Sequence, residues 1–255
     1  MKIVKIEDMH CDAGWRDFSF VKITTDEGIV GWSEYNEGYG SAGITAVIRR
    51  MAQGLIGENP RAVERINLPG FHRARRYIAE KGAPRYLATY ECDTVGDLAT
   101  PGYLHLLANQ TPWTQATMAR FTTFHRMTLR VQVDQTHGIG GALTTVRFVP
   151  DPRRRKALGE WLSTTVFPRL VTQPGLVGAA ALENDLEAAN APVQEKSMDH
   201  PRAEDAEWLV MLEGSDPKAT AGLASRTFKL AALGKYGVTK APAIATYRLL
   251  FGNQR

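Results

Sequence analysis

The chain has 255 residues, of which 44% are hydrophobic and 23% are charged, and its formal net charge is +4. This composition is typical of a globular protein and excludes an intrinsically disordered chain. Acidic and basic residues are interspersed, so we expect no nucleic-acid partner. No apolar run reaches the roughly 18 residues of a membrane span, and the charged N-terminus lacks the apolar core of a signal peptide. The chain has only two cysteines, Cys11 and Cys92, and we therefore expect a cytoplasmic protein. Because no apolar run is long enough to span a membrane, we also expect no membrane partner.

Residues 2–35 predict an antiparallel β-meander. Its strands fall at about 2–6, 18–25 and 29–35, and Asp-Glu-Gly at 26–28 is the turn between the last two. After Ser41, which can cap a helix, apolar residues recur at helical spacing until about Gly54. A proline at position 60 begins a second, short helix that reaches residue 66.

Residues 67–135 predict two strands, a long helical region and a third strand. The first two strands lie at 71–78 and 85–92, around a Gly-Ala-Pro turn. The helical region continues to about Phe124 with an interruption near Pro112, and a strand follows at 127–133. This segment therefore has the order β-β-α-β.

Residues 141–255 predict the same order with a strand and a helix added at the front. The strands are expected at about 143–149, 174–179, 207–213 and 245–251, and the helices at 152–170 and from 217. A polar loop spans 188–205. The resulting β-α-β-β-α-β order is the ferredoxin-like unit, and residues 67–135 are a truncated copy of it. Such repeats predict two sheets packed face to face around a shared interior.

The first 66 residues carry a long and specific sequence pattern. It consists of four segments, at residues 1–6, 10–16, 24–34 and 56–60. The pattern resembles the N-terminal capping domain of the mandelate racemase/muconate lactonizing enzyme group of the enolase superfamily. In that family two loops of the capping domain close over the substrate. The resemblance gives this role to Asp12, Trp15 and Arg16, and to residues 35–39.

The resemblance ends near residue 66, before the part of the family that carries its chemistry. The family holds Mg²⁺ and its acid/base residues on a C-terminal (β/α)₈ barrel, which needs at least about 200 residues. Fewer residues remain here, and their pattern is not that of eight β/α units. Without carboxylates for Mg²⁺, a carbanion beside a carboxylate has nothing to stabilise it. We therefore expect no TIM barrel and no metal.

Residues 67–255 resemble the dimeric α+β barrel proteins of the EthD-like and muconolactone-isomerase-like group. The segments that carry this resemblance are 64–71, 83–91 and 109–114. The group's pattern begins with a strand and a helix that the first repeat lacks, so the chain resembles a gene fusion at a shared helix. We hypothesise that helices of the capping segment occupy the space of the missing helix. Because a missing strand leaves backbone groups unpaired, we expect a homodimer.

Other motifs predict no cofactor. Residues 38–43 match GxGxxG, but dinucleotide binding needs a parallel βαβ unit and the preceding strand belongs to an antiparallel meander. The six histidines have no metal-ligand spacing, and neither cysteine belongs to a CxxC pair. The basic run at 153–156 is interpreted as a solvated helix face.

The best candidate site lies on the first repeat's two strands. Side chains alternate between the two faces of a strand. One face of the first strand therefore carries Phe71, Arg73, Arg75 and Tyr77, and the other face carries His72, Ala74 and Arg76. On the second strand, Tyr86, Ala88 and Tyr90 oppose Leu87, Thr89 and Glu91. If Arg73 and Arg75 point into the barrel, they can hold a carboxylate while Tyr90 or Glu91 orients a base or donor.

Other arrangements of this site stay open. A pocket of His72, Arg76 and His125 is the alternative geometry, in which His72 is a catalytic proton carrier. The arginines can also form an exposed strand with a surface ion pair. Trp15 and Arg16 contact a substrate only where an active site lies opposite them.

These observations predict an α+β protein with a capping-type meander and helices at 1–66 and tandem ferredoxin-like repeats at 67–255. The truncated repeat is 67–135 and the complete one is 141–255. The predicted function is binding of a small acidic organic molecule. One version of this function is a cofactor-free isomerase or lyase that acts on the bound molecule. One alternative is a non-catalytic interaction protein. Another is a divergent acid-sugar racemase or dehydratase without its metal site. Whether the protein is an enzyme stays open.

Overall fold

The computed structural model describes residues 2–38, 43–57, 67–110, 114–115, 118–119, 125–190 and 203–254. Contacts divide the chain into two compact units, Met1–Asn67 and Leu68–Arg255. Each unit has its own antiparallel sheet.

The first unit is a three-stranded meander followed by a helix. Its strands are β1 (Ile3–Asp12), β2 (Asp17–Thr25) and β3 (Val30–Tyr35), in the order β1-β2-β3. The helix α1 (Ile44–Leu55) begins after Gly43. The predicted meander is thus confirmed. The proposed Ser41 cap and the short helix at 60–66 lie outside the described residues.

The second unit contains a seven-stranded sheet in which all neighbouring strands are antiparallel. Its strands are β4 (Phe71–Lys81), β5 (Tyr86–Cys92), β6 (Leu129–Asp134), β7 (Ala142–Phe148), β8 (Leu176–Asn184), β9 (Trp208–Gly214) and β10 (Ala243–Gln254). Their order is β5-β4-β10-β7-β9-β8-β6. The sheet curls into a half-barrel.

Helices connect these strands. The helices are α2 (Pro101–Ala108), α3 (Arg155–Trp161), α4 (Phe167–Leu170), α5 (Leu186–Ala189), α6 (Pro217–Thr227) and α7 (Leu230–Leu233). A π-helical turn, Leu162–Val166, joins α3 to α4, so the helix predicted at 152–170 is continuous from Arg155 after a 3₁₀ turn. Asp216 caps α6 by accepting from the backbone N–H groups of Lys218 and Ala219.

The complete repeat has the predicted ferredoxin-like order. Strand β7 is followed by α3–α4, β8, β9, α6 and β10, and in the sheet β7 lies between β9 and β10. The truncated repeat consists of β4, β5, α2 and β6. The fold class is therefore confirmed as α+β, with tandem ferredoxin-like repeats and no TIM barrel.

Two sequence-based expectations need correction. The repeats do not form two sheets packed face to face, because β4 pairs with β10 and β6 pairs with β8, which joins both repeats into one sheet. The helical region after β5 is broken earlier than expected: a 3₁₀ turn (Val95–Ala99) precedes α2, and α2 ends at Ala108. Most of the stretch from 111 to 124, and residues 191–202 of the polar loop, lie outside the described residues.

Candidate functional site

The two faces of the seven-stranded sheet are packed differently. The helices cover one face, where Leu158 and Phe167 pack against Trp208 and Val210 of β9. On the opposite face, Tyr77, Leu143, Ala245 and Tyr247 form a smaller buried cluster contributed by the strands alone. We call this second face the inner face, because it is the concave side of a sheet whose helices lie outside.

The alternation of β4 side chains between the two faces of the sheet is interrupted near the first residue of the strand. Phe71 packs with Tyr103 and Leu107 of α2, on the helix-covered face. Tyr77 lies on the inner face. The β4–β5 register shifts between Phe71 and Arg73, and one such shift moves a side chain to the other face. The prediction that Phe71 shares a face with Arg75 is therefore wrong, whereas Arg73, Arg75 and Tyr77 do share one.

Four charged side chains form an ion-pair network on the inner face. The Arg75 guanidinium donates from Nη1 to Glu213 Oε1 at 2.6 Å and from Nη2 to Glu91 Oε1 at 2.8 Å. Arg73 donates to the other Glu91 oxygen, with Nη2 at 2.7 Å and Nε at 3.0 Å. The backbone N–H of Gly140 donates to Glu213 Oε1 at 2.8 Å. Arg75 and Glu213 are 5% and 4% exposed.

The charges of this network balance. Burial opposes the charged form of Arg75, but the hydrogen bond that Arg75 donates to Glu213 raises its pKa, so the guanidinium stays protonated. Two guanidinium groups face two carboxylates. The arginines that we expected to anchor a ligand carboxylate are therefore engaged by carboxylates of the chain itself.

Glu213 is the member of this network that the sequence analysis did not include in the candidate site. It is at the end of β9, and Glu91 is near the end of β5, the corresponding strand of the truncated repeat. Aligning the two repeats therefore places the two glutamates at matching positions. This correspondence between the repeats is the sequence signal that identifies Glu213.

Three polar atoms beside the network have no hydrogen-bond partner among the described residues. They are Arg75 Nε, the Tyr77 hydroxyl and Thr89 Oγ1. Thr89 is directly opposite Arg75 across the β4–β5 pair, and the Arg75 Cζ lies 5.8 Å from the centre of the Tyr77 ring. Tyr77 is 1% exposed, and burial raises the pKa of its phenol. Buried polar atoms are normally paired, so these three atoms are exceptions to the usual pattern.

The remaining candidate residues of the first repeat lie apart from this network. His72 Nε2 is 2.6 Å from Asp93 Oδ1, and both side chains are more than half exposed. Arg76 donates to the Tyr90 hydroxyl and lies over its ring at 4.8 Å. His125 Nε2 is 3.8 Å from a carboxylate oxygen of Glu207. Within the described residues, His72, Arg76 and His125 have three different partners and make no hydrogen bond to one another.

In the first unit, Trp15 and Arg16 belong to a local aromatic cluster. Trp15 is 75% exposed. The Arg16 guanidinium lies 3.9 Å from the Phe18 ring centre and is paired with Glu34. Arg16 also lines an open cleft of about 590 Å³, whose other lining residues include His10, Asp12, Ser19, Tyr35 and Glu37.

The described residues suggest no metal centre and no membrane helix. No group of three or more His, Cys, Asp or Glu side chains among them could hold a metal ion. None of their helices is long and apolar enough to cross a membrane.

The N-terminal region and the larger part of the chain are similar to two different known structures. No protein-family model and no curated protein matches it. A proposed L-alanine-DL-glutamate epimerase from Burkholderia xenovorans strain LB400, solved with magnesium and fumarate, is 55% identical over 25% of this chain and 16% of its own, with a TM-score of 0.24. A second structure of that protein is 54% identical over 26% of this chain and 16% of its own, with a TM-score of 0.24. The match is to the N-terminal region, so the chain spans about one-sixth of that relative.

A larger match concerns the fold. The structure of an anthrone oxidase-like protein covers 82% of this chain and 86% of its own, with 14% identity and a TM-score of 0.52. At this identity the likeness shows a shared α+β fold and nothing about activity. The N-terminal part of the chain is thus similar to part of an enolase-superfamily epimerase, and most of the chain shares its architecture with a ferredoxin-like protein.

Proposed function

We propose that the second unit binds a small organic acid on its inner face, without a cofactor. The observation that supports this most directly is the adjacent group of buried, unpartnered polar atoms on Arg75, Tyr77 and Thr89. Arg75 Nε can donate only, and the two hydroxyls can donate or accept. A carbonyl or carboxyl oxygen of a ligand would satisfy the donors of this group.

The surroundings of this group suit a ligand with an apolar body. Leu143, Ala245 and Tyr247 pack beside Tyr77 on the same face. Because Glu91 and Glu213 hold the guanidinium of Arg75 in place, its Nε–H is oriented before a ligand arrives. The network has no surplus positive charge, so binding should depend on hydrogen bonds more than on the ligand's net charge.

The candidate proton carriers have different roles in this proposal. The raised pKa of Tyr77 keeps its phenol protonated at neutral pH, so Tyr77 acts as a donor and not as a base. Glu91 is 38% exposed and touches both arginines. If the protein is an isomerase or a lyase, Glu91 is the carboxylate that accepts a proton from the bound molecule. We further propose that the protein is a cytoplasmic homodimer.

The test is a thermal-shift panel of aromatic acids, sugar acids and lactones, each with and without Mg²⁺. A ligand at 100 times its Kd stabilises by about 2.7 kcal/mol, which is visible as a shift of a few degrees. Tyr77→Phe should weaken binding about tenfold, which corresponds to one lost hydrogen bond. Tyr86→Phe, a change at a 55% exposed tyrosine on the next strand, should leave binding unchanged.

Two results would contradict the proposal. One is a panel without any stabilising acid, which would favour the non-catalytic interaction protein. The other is a ligand that binds Tyr77→Phe and wild type equally, which would place the site elsewhere. Stabilisation that requires both Mg²⁺ and a sugar acid would instead support the racemase or dehydratase alternative.

A further inference from the structure

The seven-stranded sheet has two open edges that result from one missing strand. In the complete repeat, β7 lies between β9 and β10. The corresponding strands of the truncated repeat are β5 and β6, and the described residues include no strand of this repeat that corresponds to β7. Strands β5 and β6 therefore end the sheet, and no other strand that the structure describes pairs with their outer sides.

The β6 edge has features that oppose further pairing. Its register with β8 shifts between Val131 and Val133, which interrupts the regular row of backbone groups. It also carries charged residues at both ends, Arg130 and Asp134, which are exposed. Irregular register and charged side chains are common means of blocking an edge strand.

On the β5 edge, the register with β4 shifts only at the C-terminal end of the strand, beyond Glu91. Its pairing with β4 is regular from Arg73–Glu91 to Ile78–Tyr86, and the strand contains no lysine, arginine or proline. A regular edge whose single charged residue, Glu91, is already paired within its own sheet is the type that pairs with another chain.

The direction of the backbone groups on β5 follows from its hydrogen bonds at both ends. The Ala79 N–H donates to the Arg85 carbonyl at 2.8 Å, and the Asp93 N–H donates to the Gly70 carbonyl at 2.8 Å. Odd-numbered residues thus direct their backbone groups toward β4. Because these directions alternate along a strand, the even-numbered residues from 86 to 92 direct theirs to the open side.

The charge on β5 permits pairing with itself. Glu91 is the only Asp, Glu, Lys or Arg residue of the strand, and it is neutralised by Arg73 and Arg75. Two copies of β5 related by a two-fold axis run antiparallel, and this arrangement presents the same donors and acceptors from each side. We propose that β5 pairs with β5 of a second copy of this chain, which joins the two seven-stranded sheets into one.

A proline at position 88 tests this interface. Ala88 is exposed and directs its N–H to the open side, so Ala88→Pro removes an intermolecular donor and leaves the β4–β5 hydrogen bonds intact. We expect the wild-type chain of 255 residues to sediment as a dimer and Ala88→Pro as a folded monomer. Ala88→Thr keeps the N–H and suits a strand, so it should remain a dimer.

Two further measurements keep the proposal testable if the proline variant does not fold. Ala88→Lys introduces a natural edge blocker and should also give a monomer. In the wild type, the amide protons of residues 86, 88 and 90 should exchange slowly at high protein concentration and faster on dilution. A monomeric wild type, a folded Ala88→Pro dimer, or fast exchange at these amides in the dimer would each overturn the proposal.

Discussion

The Arg75 guanidinium lies 2.6 Å from the Glu213 carboxylate, although the two residues are 138 positions apart in the sequence. Arg75 belongs to β4 and Glu213 to β9, and two strands, β10 and β7, lie between them in the sheet. In a flat sheet, strands three positions apart are separated by about 14 Å. The direct contact is therefore possible because the sheet curls, and it links the truncated repeat to the complete one.

Removing the charge of Glu213 should destabilise the second unit. In Glu213→Gln the buried guanidinium of Arg75 loses its shortest ionic partner and keeps only Glu91, which is 38% exposed. Breaking one side of a buried pair leaves a poorly compensated charge, and we expect a loss of about 3 kcal/mol in the free energy of unfolding. Urea denaturation measures this loss.

The matched control is Glu80→Gln, because Glu80 pairs with Arg248 at the surface with both side chains about half exposed. Such pairs contribute at most about 1 kcal/mol. Equal effects of the two substitutions would show that the Arg75–Glu213 pair is not the buried connection described above.

Gly140 and Gly141 provide a second matched pair. A Cβ at position 140 would lie 2.2 Å from the Gly214 carbonyl oxygen, whereas a Cβ at position 141 meets nothing within 4 Å. Gly140→Ala must therefore displace backbone next to Glu213, to which the Gly140 N–H donates. We expect it to lower the melting temperature by several degrees.

Gly141→Ala should leave the melting temperature within about a degree of wild type, since surface substitutions usually change stability by less than about 0.5 kcal/mol. If Gly140→Ala also melts like wild type, the close approach of β9 to residue 140 is incorrect.

The residue pattern within each segment was sufficient to predict the strands and their order. It was not sufficient to predict which side chains contact one another across the sheet. Strand alternation predicted that Arg73 and Arg75 share a face, and the repeated β-α-β-β-α-β order predicted the ferredoxin-like unit. Phe71 was placed on the wrong face because a register shift has no signature in this sequence. The partner of Arg75 could not be read from β4, because the contact with Glu213 depends on how a whole sheet curls.

The Asp8–Arg49 pair of the first unit predicts a pH response. Arg49 donates to both oxygens of Asp8, at 2.8 and 2.7 Å, and this hydrogen bonding lowers the Asp8 pKa from 3.8 to about 2. A carboxyl whose pKa is lower in the folded state stabilises that state above the unfolded pKa. The contribution is therefore complete above about pH 4 and is lost as the pH falls toward 2.

Carbon-13 NMR of the Asp8 carboxyl measures this pKa directly. In Arg49→Met we expect the pKa to return toward 3.8, because the cation and its two hydrogen bonds are gone. Arg50→Met removes the neighbouring exposed arginine of α1 and should leave the pKa near 2. A midpoint near 4 in the wild type would contradict the bidentate pair.

The buried phenol of Tyr77 predicts a loss of stability at high pH. Burial raises its pKa above the usual 10, so between pH 10 and 12 the phenol ionises in the unfolded chain and stays protonated in the folded one. The folded state then binds more protons than the unfolded state, and stability falls as the pH rises. Tyr77→Phe removes this group, so its stability should decline less steeply over the same range in urea titrations. Tyr86→Phe, at an exposed site, should follow the wild-type curve. Identical slopes for Tyr77→Phe and wild type would mean that the Tyr77 hydroxyl reaches solvent, and it would then be no part of a buried ligand site.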